Sequence, residues 1–419
     1  MNKVIFFCNV QYIVNYSNRL SGVCKQSLPA SKSISNRILI MNALANGGGR
    51  VSNLAKCDDT DVLVAALSSD DSVFDIGAAG TAMRFLSAFL ANREGEWVTT
   101  GSARMKERPI RILVDALNSV GADVSYLEKD GFPPLKISGK PLDGGVIELD
   151  GGVSSQYISA LLMIAPVMKN GLVLRLTGNI ISKPYIKMTL SLMRQFGIES
   201  SWTGNEIKVE RQDYKPIDFM VESDWSASSY WFQICALAEG SAEILLPGLF
   251  CDSVQGDSAV VNIFENLGVS SVFEKDGLLL KRDRKVVKFL EYDFVEQPDL
   301  AQTVVAACCA LGVTFNFEGL QSLKIKETDR IAALIAELRK FGYVLFEPKE
   351  GALAWSGERC EADDKPVVKT YKDHRMAMAF APLAIKFGEV CIDDPAVVSK
   401  SYPEYWTHLK DFGFDLTEM

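Results

Sequence analysis

One programme recurs six times along the chain: a polar turn, an apolar helix, a strand, usually a second helix closed by glycine, and often a hairpin. The second helices are predicted to end at Gly121, Gly197, Gly268 and Gly342, so successive ends lie 76, 71 and 74 residues apart. Glycine closes a helix because, lacking Cβ, it enters the left-handed conformation at no steric cost. Repetition at this period implies duplicated structural units, each needing its neighbours to complete a core. The polar turns that open the units also carry cations: Lys32 and Arg37, Arg84, Lys326 and Arg330, and Arg375. A cation at a helix start opposes the helix dipole unless an anion shares the place.

The first unit reads as a helix over 35–45, a stop at Gly47-Gly48-Gly49, a strand near Val51 and a helix from Thr60. Later units open at 77–81, 154–156, 224–228, 298–302 and 373–375, and hairpin turns are expected at Asp130-Gly131, Gly204-Asn205, Asp276-Gly277 and Glu350-Gly351. The opening helices, such as 158–167 and 304–311, are apolar almost all round and so should be buried. Sheets outside and helices within, three units to a domain, is the α/β arrangement this implies, and 419 residues suit two domains. The natural cut falls before the fourth unit. The sixth unit ends at Gly413 with only a strand remnant, so the apolar N-terminal segment 1–14 is read as a strand completing the second domain. That segment lacks the basic region and small-residue cleavage site of a secretion signal. The predicted domains are therefore 31–223, and 1–30 with 224–419.

A net charge of −9 argues against nucleic acid or an anionic membrane as partner. Nine scattered cysteines with no C-x-x-C pair indicate neither a disulfide framework nor a zinc knuckle, and a reducing, cytoplasmic setting fits. Only His374 and His408 are present, which leaves few members for a histidine metal site or a Ser-His-Asp triad; no metal is expected.

The chemistry-bearing strings are few. In Lys326-Glu327-Thr328-Asp329-Arg330 the two cations stand at i,i+4, a pairing that a solvated helix face avoids. Lys32, Ser33, Ser35, Asn36 and Arg37 open an otherwise apolar helix; capping accounts for the serines and leaves the flanking cations unexplained. Gly77-Ala78-Ala79-Gly80-Thr81 is a small-residue helix entrance open to an anion or simply to tight packing. Arg104, Lys106, Arg108 and Arg111 form a basic loop. Asp299 and Glu327 are the only carboxylates placed with these cations as acid or base, although Asp299 is equally a helix cap by position.

Pro29 to Arg37, Gly80 to Arg84, Arg104 to Pro109, Ser154-Ser155-Gln156, Ser182 to Tyr185, Lys326 to Arg330 and Asp373 to Met376 together resemble the 5-enolpyruvylshikimate-3-phosphate synthase family, in family order and over nearly the whole chain. The resemblance implies a two-domain inside-out α/β barrel of six units, with the active site in the cleft between domains. It implies transfer of the enolpyruvyl group of phosphoenolpyruvate to the 5-hydroxyl of shikimate 3-phosphate, in aromatic amino-acid biosynthesis, by a monomer without cofactor. Shikimate 3-phosphate would be held by Lys32, Ser33, Arg37, Ser154, Ser155, Gln156, Ser182, Tyr185, Asp299, Ser322 and Lys326. Phosphoenolpyruvate would be held by Lys32, Gly80, Arg108, Gln156, Arg330, Arg375 and Lys400. Glu327 would deliver the proton to the methylene carbon, Asp299 would serve the attacking hydroxyl, and Lys32 would assist either transfer. Glyphosate would take the phosphoenolpyruvate position beside Gly80, and Gly80→Ala would weaken inhibition more than substrate binding. The chain departs from the family pattern at Ala78 and Ser322, where asparagine is frequent, and at Phe85, where proline is common.

Two rival readings are an enolpyruvyl transferase acting on a UDP-sugar and an RNA 3′-phosphate cyclase. The first typically carries a cysteine in the loop occupied here by 104–109. The second would show a nucleotide-binding signature that this chain lacks. A non-enzymatic repeat scaffold is the third, and it would spread its cations over a face instead of gathering them.

Overall fold

The computed structural model describes residues 10–17, 22–238 and 243–419. Most of the strand expected over 1–14, and Cys8, lie outside them. Two compact lobes emerge: Ala30–Ser223 with Asp252–Gly256, and the chain up to Pro29 with Asp224–Cys251 and Asp257–Met419. Ala30 and residues 252–256 thus depart from the predicted division. The reason is polar: Gln255 accepts a hydrogen bond from Ser31 Oγ (2.9 Å) and donates to Glu222 Oε1 (2.6 Å) and the Ser223 carbonyl (2.8 Å).

In the first lobe the opening helices Lys32–Leu44, Gly80–Ala91 and Ser155–Ile164 pack on one another at the centre. All but Thr81 among the twelve residues of Gly80–Ala91 are buried, so this helix has no solvent face to make polar. Two four-stranded sheets and the short pair Val51–Ser52 with Phe219–Met220 lie around these helices. Gly49 is required there by close backbone approach, since a Cβ would stand 2.0 Å from the Ile217 carbonyl oxygen.

The second lobe repeats the plan with Trp225–Leu237, Ala301–Leu311 and His374–Phe380 inside three sheets. Gln11–Tyr16 lies between Glu389–Asp393 and Phe414–Glu418, antiparallel to both, and so fills the place of the hairpin strand that the sixth unit lacks. The remnant after Gly413 is a full five-residue strand.

The glycine stops are where the sequence puts them: Gly121, Gly197, Gly268 and Gly342 all have positive φ. Three of the four expected hairpins pair as strands. The fourth, at Glu350-Gly351, is reduced to the isolated bridges Tyr343–Arg359 and Phe346–Ala354. Helix 158–167 ends at Ile164 and continues as a 3₁₀ turn containing Pro166; the sixth opening helix breaks likewise at Pro382, because proline offers no N–H to the ladder.

Candidate active site

The residues singled out in the sequence gather into two sets, one in each lobe. In the second lobe Arg330 opens the helix Arg330–Lys340 behind the cap Asp329 and is 1% exposed. Its guanidinium donates to Asp373 (2.7 and 3.3 Å), Asp299 Oδ1 (3.0 Å) and Glu327 Oε2 (2.9 Å). The other oxygen of Glu327 binds Lys400 Nζ at 2.8 Å. Asp299, at the entrance of the helix Ala301–Leu311, also faces Arg375 Nη2 at 3.3 Å and Lys326 Nζ at 3.7 Å. Four cations and three carboxylates therefore interlock.

Charge state follows from that geometry. Burial alone would raise the Asp299 carboxyl, but Arg375, Lys326 and Arg330 outweigh it and hold the group far below the usual carboxylate range. Arg330 is buried too, and Asp373, Glu327 and Asp299 nevertheless keep its guanidinium charged. For Lys326 the attraction of Asp299 is overcome by burial and by Arg330, and its ammonium is shifted down. The cations of this lobe therefore do not face one another uncompensated, because Asp299, Glu327 and Asp373 stand between them. Asp373 is the partner that sequence reading left out when it placed only Asp299 and Glu327 with the cations. Its position as cap of the helix His374–Phe380 concealed the second role.

In the first lobe Arg37 is 2% exposed and donates to Thr189 Oγ1 (2.7 Å), Ser159 Oγ (3.1 Å) and the Ser33 carbonyl (2.9 Å). These three acceptors are neutral. Burial pulls its pKa to about 10, so it remains a cation at neutral pH. The Phe85 ring lies 5.3 Å from this guanidinium, which gives the unusual phenylalanine a cation–π role, and the helix that carries it runs unbroken from Gly80 to Ala91. Lys32 binds the buried Asp59 at 2.9 Å. Asp59 and the pair Ser159 and Thr189 were not legible, because Asp59 is 27 residues from Lys32 in sequence and Ser159 and Thr189 are 122 and 152 from Arg37.

Gly80 lies against Arg108: a Cβ there would approach Arg108 Nη1 to 2.6 Å and Arg84 Nη1 to 2.8 Å. Ser154 caps the helix Ser155–Ile164, and Gln156 donates to Thr81 Oγ1 at 3.1 Å, beside Gly80 in sequence. Ser182 occupies a left-handed backbone position (φ 53°) directly before the helix Lys183–Gln195, whose first turn carries Tyr185. Ser322 lies in the 3₁₀ turn Gln321–Ile325 leading to Lys326. The rest of the basic loop does not join the set. Arg104, Lys106 and Arg111 are paired with Glu107, Glu128 and Asp130 at the surface.

The chain is similar to known proteins over nearly its whole length. Residues 14–69 and 65–409 match the family model described as EPSP synthase (3-phosphoshikimate 1-carboxyvinyltransferase). The chain is 53% identical over 408 residues to a 3-phosphoshikimate 1-carboxyvinyltransferase of Bacteroides fragilis, covering 97% of this chain and 99% of the relative. It is 36% identical over 425 residues to the protein of that name from Photobacterium damsela, covering 92% and 96%. A solved EPSP synthase from Acinetobacter baumannii shares the fold with a TM-score of 0.78 at 18% identity, covering 97% of this chain and all of that one.

Proposed function

The chain belongs to the EPSP synthase family, and we propose that it transfers the enolpyruvyl group of phosphoenolpyruvate to the 5-hydroxyl of shikimate 3-phosphate, releasing phosphate. The observation that carries the reading at residue level is the gathering of Lys326, Arg330, Arg375 and Lys400 around Asp299 and Glu327. A scaffold would have no use for such a cluster, whereas two polyanionic substrates require it.

The hydroxyl oxygen adds to C2 of phosphoenolpyruvate while C3 takes a proton, giving a tetrahedral adduct. Loss of a proton from the new methyl group and of phosphate from C2 restores the double bond. Glu327 is assigned the proton at carbon and Asp299 the hydroxyl proton, with Lys32 assisting. With Arg375, Lys326 and Arg330 around it, Asp299 is ionised and a weak base. Substrate anions that take over Lys326, Arg330 and Arg375 leave Asp299 buried with fewer partners, which raises its proton affinity when the hydroxyl arrives.

Shikimate 3-phosphate is assigned to Lys32, Ser33, Arg37, Ser154, Ser155, Gln156, Ser182, Tyr185, Asp299, Ser322 and Lys326. The buried charge of Arg37 among neutral acceptors suits a phosphate. Phosphoenolpyruvate is assigned to Lys32, Gly80, Arg108, Gln156, Arg330, Arg375 and Lys400. These sets draw on residues of both lobes. We also take the chain to work as a monomer in the cytoplasm. Its eight described cysteines are all free, and no described helix is long and apolar enough to cross a membrane. The test is phosphate release on mixing the chain with both substrates. Release with a UDP-sugar in place of shikimate 3-phosphate, and none with the latter, would overturn the assignment.

A further inference from the structure

Two consecutive residues other than glycine, Tyr371 and Lys372, have φ of 54° and 56°, immediately before Asp373, His374 and Arg375. Left-handed backbone is unfavourable for side chains with a Cβ, more so for an aromatic one, and two in succession persist only where surroundings impose them. The imposing group is Glu337, a glutamate of 0% exposure on the helix Arg330–Lys340. Its carboxylate accepts from Tyr371 Oη at 2.7 Å, from the main-chain N–H of Lys369 at 2.9 Å and from Lys340 Nζ at 2.6 Å. Two of these three donors belong to the loop that delivers Asp373 and Arg375. Lys340 alone would already neutralise the charge, so the ion pair does not explain why the carboxylate faces the loop. The other side of the loop is fixed by Asp393, which accepts from the Thr370 N–H at 2.6 Å. Burial and the neighbouring Glu337 both push the Tyr371 phenol up, so it remains an O–H donor.

One helix therefore carries both halves of a registration: Arg330 at its start reaches Asp373, and Glu337 two turns later holds the backbone that presents Asp373. We propose that Glu337 is a positioning residue for the phosphoenolpyruvate cations, acting through Tyr371 and the left-handed pair to fix Asp373, and through it Arg330 and Arg375. This rests on the assignment of those two arginines to phosphoenolpyruvate.

The experiment compares Tyr371→Phe, Glu337→Gln and each combined with Lys372→Gly. Tyr371 is 38% exposed, so Tyr371→Phe is expected to fold even if Glu337→Gln does not. Both single variants should raise KM for phosphoenolpyruvate about ten-fold while KM for shikimate 3-phosphate moves less than about two-fold. Amide hydrogen exchange over 369–376 should quicken in parallel. Lys372→Gly relieves part of the strain and should return KM for phosphoenolpyruvate to within about three-fold of the parent. Equal shifts in both KM values, unchanged exchange, or no recovery with glycine would overturn the positioning role. A parent chain that turns over neither substrate would instead defeat the functional reading, and the exchange and its recovery by glycine would then judge the loop's attachment alone.

Discussion

Asp299 meets three cations at once, so its substitution separates charge from shape. Asp299→Asn and Glu327→Gln are both expected to lower kcat by ~10²–10⁴-fold with much smaller changes in KM, since each keeps volume and loses proton transfer. A loss under ten-fold in steady-state kinetics for both would reduce them to structural partners. Arg330→Met leaves Asp373, Asp299 and Glu327 facing one another without their shared cation and should cost about 3–5 kcal/mol of stability, read from denaturant unfolding. Asp257 behaves in the opposite sense. It is buried with one oxygen accepting from Ser226 and the other without a partner, and burial, with Asp299 adding to it, lifts its pKa to about 6. Because the folded form holds this proton more tightly than the unfolded one, its contribution is fully present below about pH 4 and is lost as pH rises through 6. The ionised group then costs about 3 kcal/mol at pH 7. Asp257→Asn should therefore raise Tm at pH 7.5, by calorimetry, with the gain shrinking toward pH 4. Gly80→Ala places its methyl against Arg108, which is itself assigned to phosphoenolpyruvate. KM for that substrate should therefore rise as well, with the glyphosate inhibition constant rising further.

Among the elements, those governed by local rules were legible. Apolar runs become buried helices because nothing along them can face water, and the glycines at 121, 197, 268 and 342 stop helices through a conformation few other residues adopt. What escaped depends on pairings distant in sequence. Lys32 with Asp59, Arg37 with Ser159 and Thr189, and Arg330 with Asp373 are set by how helices pack, and no periodicity within one helix encodes its neighbour's polar residue. The Lys-Glu-Thr-Asp-Arg string was conspicuous because it breaks a local rule for charges; Asp373 was inconspicuous because it obeys one for caps. Strain marks the same places. Ser182, Tyr371 with Lys372, and Asp394 are left-handed residues, and each directly precedes a segment carrying an assigned site residue. Gly49 is the opposite case, a glycine demanded by space. Gly49→Ala would drive its Cβ into the Ile217 carbonyl and should destabilise the first lobe by more than about 2 kcal/mol in the same unfolding assay.

For the molecule as a whole, the predicted division into 31–223 and the remainder differs from the two lobes at Ala30 and at the strap 252–256, whose glutamine ties together residues near both places where the chain passes between them. The proposed substrate assignment draws on residues of both lobes. The sheet built on Gln11–Tyr16 bears on how a ribosome makes such a chain. That strand emerges long before its two neighbours, Glu389–Asp393 and Phe414–Glu418. The lobe assembled from 30–223 and 252–256 has its sequence in hand once residue 256 has been synthesised, whereas Gln11–Tyr16 must wait, unpaired on both edges, until residue 418 has been made. The lobe holding that strand is thus obliged to finish after the other, and the contacts that close it span nearly the whole run of the described residues.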